Sequence, residues 1–144
     1  MQNKRLTLTL DPAGYVTALR DRQDSTNMNW VIDETYLNAT NYSEKDKLFG
    51  QFDFRIGTQI FKSYDVVPTI VNDETYIQVV YQFNQLVSVT VSYHFEEATA
   101  IRWRIDFKNE TNQEIILDDF GIWASFAYVM FRDKKVQTNI HHSA

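Results

Sequence analysis

The chain has 144 residues, 44% of them hydrophobic and 15% aromatic, with only four Gly and two Pro. That is enough apolar side chain for one two-layer core and too few chain-breakers for extended disorder. A formal net charge of -5 with dispersed Lys and Arg argues against nucleic acid, whose phosphates need clustered cations, and the lack of cysteine removes disulfide scaffolds, thiolate catalysis and cysteine-held zinc.

Met1 to Arg5 carries positive charge, but Leu6-Thr7-Leu8-Thr9-Leu10 alternates instead of forming the apolar block of a signal peptide, and so reads as a strand. Asp11-Pro12-Ala13-Gly14 places Pro second and Gly fourth in a type I turn, and Tyr15 to Leu19 returns as the second arm of a hairpin. Polar residues 20–27 read as a loop, and Met28-Asn29-Trp30-Val31-Ile32 as a short strand entering the core. Residues 33–48 are predicted to be a long surface loop, with a weak capping signal at Ser43. A strand over residues 50–61 is expected to bend at Gly57 through a bulge. Residues 64–71 follow, and Pro68 assigns them to a sheet edge.

From Thr75 the pattern is strongest. Ile77, Val79, Tyr81 and Phe83 recur at every second position, as do Val87, Val89, Val91 and Tyr93, then Ile101, Trp103, Ile105 and Phe107. Successive strand side chains point to opposite faces, so each set lies on one buried face. Asn84-Gln85 fits a two-residue hairpin connection. Residues 116–131 read as the next strand of the same meander, and Asp133-Lys134-Lys135 as a further turn. No stretch approaches the roughly 20 apolar residues of a membrane span, so a soluble domain is expected, with the cytoplasm slightly favoured as its compartment. The prediction is one all-β domain over residues 1–144, an antiparallel two-sheet β-sandwich of about nine or ten strands.

Chemistry is sparse. Asp118 and Asp119 are adjacent, and neighbours on a regular strand face opposite sides, so they do not form the facing pair of a glycosidase. Glu96-Glu97 reads as a solvated turn, and His141-His142 lacks further ligands for a metal. His94, Ser88, Thr90 and Ser92 share the polar side of their strand, and Arg102, Arg104 and Asp106 are expected beside them on the next. Such a face suits a hydroxyl-rich or anionic ligand, although cross-strand charge pairing on a solvent face requires none. Trp103 and Trp123 lie in apolar strands and read as core, whereas Trp30 adjoins a polar loop where its ring could stack on a sugar. The sequons at Asn38, Asn41 and Asn109 carry meaning only in a eukaryotic secretory setting. No cofactor is implied.

Several landmarks together resemble the N-terminal β-sandwich that precedes the (α/α)6 barrel of bacterial six-hairpin glycosidases, a domain of supersandwich, galactose-mutarotase-like fold. They are the Asp11-Pro12-Ala13-Gly14 hairpin, Met28-Asn29-Trp30, Phe49-Gly50, the long meander, Phe107-Lys108-Asn109-Glu110-Thr111, Phe120-Gly121-Ile122 and Asn139-Ile140-His141-His142. The resemblance implies a supersandwich-like domain, part of a longer chain, without turnover of its own, because the catalytic acids of such enzymes commonly lie in the helical barrel. Its partners would be the catalytic domain of the same polypeptide and carbohydrate. Asn29 and Trp30 are the expected sugar contacts on this reading. The alternatives are a freestanding carbohydrate-binding module using His94, Arg102 and Arg104, and a structural protein that self-associates.

Overall fold

The computed structural model describes residues 1–31 and 48–124. Most of the predicted 33–48 loop, the sequons at Asn38 and Asn41, the end of the last apolar stretch and everything from Asp133 to His142 lie outside those residues. Among the described residues there are nine strands: β1 Leu6–Leu10, β2 Val16–Asp21, β3 Phe52–Ile56, β4 Gln59–Lys62, β5 Thr69–Asn72, β6 Tyr76–Phe83, β7 Val87–Glu97, β8 Ala100–Asn109 and β9 Leu117–Ile122. Every pairing is antiparallel. The fold is all-β, as the alternation predicts.

One layer is the four-stranded meander β5-β6-β7-β8. Its alternation is a burial pattern: Ile77, Val79, Tyr81 and Phe83 on β6 and Val87, Val89, Val91 and Tyr93 on β7 are all buried. The facing layer is divided into the β1-β2 hairpin and a β4-β3-β9 sheet. Aromatic rings join the layers. Phe52 meets Tyr81 edge-on at 5.0 Å, and Phe54 meets Phe83 at 5.1 Å and Phe107 at 5.7 Å in the same geometry, which is the preferred arrangement of ring quadrupoles.

The structure departs from the sequence reading at four places. The last strand does not extend the meander: β9 crosses over and pairs with β3, Phe52 opposite Ile122. Gly57 marks no bulge but the first position of a tight turn between Ile56 and Gln59, with φ 61°, as a type II′ hairpin requires. The β6–β7 loop has three residues, since Phe83 pairs with Val87, and Asn84 takes φ 53°. Met28 to Val31 is not a strand of any of these sheets. Its backbone meets β2 through the Trp30 N–H, which donates to the Leu19 carbonyl at 2.9 Å. Pro68 does stand at a sheet edge, immediately before β5, the outermost strand of its sheet.

Two glycines let the layers close. Gly14 ends the first hairpin turn at φ 101°, its N–H on the Asp11 carbonyl at 2.8 Å, and a Cβ there would lie 2.1 Å from the Tyr81 hydroxyl. Gly50, at φ 91°, presses against the Tyr93 hydroxyl, 2.6 Å from where its Cβ would be. Only glycine tolerates both the backbone angle and the approach.

Candidate functional site

The outer face of the four-stranded sheet carries the polar partners of the buried alternation. Tyr76 pairs across to His94 and His94 to Arg102; Gln78 pairs to Ser92 and Ser92 to Arg104. Thr90 stands opposite Asp106 in the next row. This register brings His94, Arg102 and Arg104 onto one surface, as the period of two predicts. A groove of about 520 Å3 runs across it, lined by Tyr76, Gln78, Ser92, His94, Arg104 and Asp106 with Thr75 and Phe95 at one end. Arg102 stands beside the groove and is not part of its lining.

Charge on this face is balanced locally. Arg104 Nη2 lies 2.9 Å from Asp106 Oδ1 and its Nε donates to the same oxygen at 3.0 Å, while Arg102 pairs with Glu96. The surface is therefore not a cationic patch built for a polyanion. Tyr76, Gln78, Ser92 and His94 make no hydrogen bond to other described side chains or through their own side chains, so their donors and acceptors face the groove's solvent. The sequence reading found the β7 and β8 residues of this groove but not Tyr76 and Gln78, whose alternation with Ile77 and Val79 carried the same signal.

Asn29 and Trp30 lie elsewhere. The Asn29 amide replaces missing strand pairing: its Oδ1 accepts from the Leu19 and Val31 N–H groups at 3.1 and 3.2 Å, and its Nδ2 donates to the Thr17 carbonyl at 2.9 Å. Those bonds hold residues 28–31 along β2, which gives Asn29 a structural duty. Trp30 is half-buried and lines a separate cleft with Trp103, under the N-terminal hairpin. Trp103, read as core, is half-buried too, packed on Phe49 at 5.0 Å and stacked on Tyr93 at 6.3 Å.

Asp118 and Asp119 do not alternate. A register slip between Asp53 and Arg55, with Asp119 at φ 51°, turns both carboxylates towards Arg55: Nη1 is 2.9 Å from Asp119 and Nη2 3.9 Å from Asp118. They serve one guanidinium, not an acid and base across a cleft. No cluster of three or more His, Cys, Asp or Glu fit to hold a metal occurs among the described residues. No helix among them is long and apolar enough to cross a membrane.

No family model, curated protein or solved structure matches this chain.

Proposed function

We propose that the chain is a non-catalytic β-sandwich module of a carbohydrate-active protein and contacts carbohydrate through the outer-face groove of its meander. The observation that carries this reading is the row of uncommitted polar side chains, Tyr76, Gln78, Ser92 and His94, beside the paired Arg104 and Asp106. A pyranose offers hydroxyls in a ring plane; such a surface supplies both donors and acceptors, and Tyr76 offers an aromatic edge or face. Local charge balance favours neutral sugars over polyanionic ones. The resemblance of the sequence landmarks to the sandwich domain of six-hairpin glycosidases supports the same class, and with it a catalytic domain of the same polypeptide as the packing partner.

The test is binding to a glycan array and to insoluble polysaccharides, followed by calorimetry on any hit. Arg104→Ala and His94→Ala are expected to weaken that binding at least tenfold, whereas Asn29→Ala and Trp30→Phe, on the other side of the sheet, leave it unchanged per folded molecule. Binding lost in Trp30→Phe but intact in Arg104→Ala would move the sugar site to the cleft under the hairpin. Absence of any glycan binding would remove the carbohydrate reading.

A further inference from the structure

A second concavity lies on the inner side of the sheet, independent of the carbohydrate reading. Where the β1-β2 hairpin overhangs the ends of β7 and β8, a cleft of about 470 Å3 opens, walled by Leu6, Leu19, Trp30, Ile101 and Trp103 with Arg5 at its rim. That volume falls within the usual range of small-ligand sites, about 300–1,000 Å3. Its walls are apolar and carry few groups able to satisfy a sugar's hydroxyls, which would be buried at a cost. The indole of Trp103 is fixed by its stack on Tyr93 and its contact with Phe49, so this wall is preformed.

The rim supplies one charge with spare capacity. Arg5 donates its Nε to Asp21 Oδ1 at 2.8 Å, and its two terminal nitrogens have no partner among the described residues. Asp21 is held in the ionised form by Arg5 and by the Gln23 N–H, its carboxyl drawn below the ordinary range. It thereby anchors one edge of the guanidinium and leaves the outer fork free. A planar fork with parallel N–H groups matches the paired oxygens of a carboxylate or a phosphate, and the single charge of a carboxylate is the less opposed by Asp21 beside it.

We propose that this cleft binds an amphipathic carboxylic acid, with the hydrocarbon portion between the leucines, Ile101 and the two indoles and the carboxylate on the free edge of Arg5. The charge on Asp21 opposes the incoming anion, so the affinity is moderate and depends on both ends of the ligand.

Decanoate titrated below its micelle concentration, followed by intrinsic tryptophan fluorescence and calorimetry, tests this directly. Saturable one-site binding is expected, and decylammonium, of equal chain length and opposite charge, should bind at least tenfold more weakly. Arg5→Gln, a surface change whose fold is verified by circular dichroism, should weaken decanoate about tenfold, in keeping with loss of a charge-assisted bond. Leu19→Trp, which fills the cleft, should abolish binding; if that variant does not fold, Ile101→Trp replaces it. No saturable binding of decanoate, equal binding of decylammonium, or an unchanged affinity in Arg5→Gln would each overturn the proposal. Glycan binding through Arg104 stands or falls separately.

Discussion

Tyr81 and Tyr93 are buried in the centre of the sandwich, and neither hydroxyl has a hydrogen-bond partner among the described residues. A buried hydroxyl left unpaired costs about 1–3 kcal/mol, because its hydration is lost and nothing replaces it. Tyr81→Phe removes that oxygen and keeps the ring, including its edge-on contact with Phe52 at 5.0 Å and its stack on Phe83 at 6.5 Å. The small void left beside Gly14 offsets part of the gain, so a net stabilisation of about 1 kcal/mol is expected at pH 7. Urea denaturation with an unchanged m-value measures it. The same substitution alters the alkaline limb. Burial raises the pKa of the Tyr81 phenol above its ordinary value, and that of Tyr93 further, with the neighbouring Tyr81 adding to the rise. In the unfolded chain these phenols lose protons near pH 10 while the folded ones keep theirs. Their stability contribution is thus complete below about pH 10 and falls above it by about 1.4 kcal/mol per pH unit for each tyrosine. Tyr81→Phe should therefore make the loss of stability between pH 10 and 11.5 shallower by one tyrosine's share, and the double variant with Tyr93→Phe shallower by two. Destabilisation of more than 1 kcal/mol by Tyr81→Phe at pH 7, or an alkaline limb identical to that of the parent, would refute the assignment of these hydroxyls as unpaired.

Gly14→Ala should cost about 3 kcal/mol or more in the same denaturation assay, from the positive φ and from the new Cβ striking the Tyr81 oxygen. Because the oxygen is the nearest atom and the ring carbon behind it is 3.0 Å away, Tyr81→Phe should recover part of that loss in a double-mutant cycle. Asn29→Ala should destabilise by about 2–3 kcal/mol, since its amide serves the backbone of residues 17, 19 and 31. Hydrogen exchange should then show earliest opening at residues 17–31, and uniform loss of protection would contradict the local role.

The meander was legible because its signal is local. β6 and β7 each have a buried face that repeats every second residue, and a buried face fixes strand register strongly; on β8 the same alternation gives a half-buried face that ends at the exposed Phe107. The polar groove opposite was partly legible for the same reason, since a known buried face fixes its reverse. What escaped were features set by contacts far apart in sequence. Nothing in residues 117–122 says that β9 pairs with β3 instead of β8. The bulge that turns Asp118 and Asp119 towards one Arg55 depends on a register slip, which one extra residue creates and periodicity cannot show. Asn29 resembled a ligand-binding amide because a side chain that caps backbone and one that grips hydroxyls use the same atoms. The cleft under the hairpin required β1, β2, β7 and β8, from both halves of the chain, to be placed before it existed at all.

The pairing of Phe52 with Ile122 has a consequence for biogenesis. A nascent chain that has left the ribosome only as far as Asn109 already holds the whole meander, yet β3 still presents one bare edge and the aromatic interior lacks its closing strand. Joining segments some seventy positions apart is entropically slow compared with zipping adjacent hairpins, because loop closure has to precede the contacts that reward it. Until it happens, the uncovered Phe52 and Phe54 rings and the open edge of β3 form a sticky half-built surface, and chaperone dependence or aggregation during synthesis should concentrate in that interval.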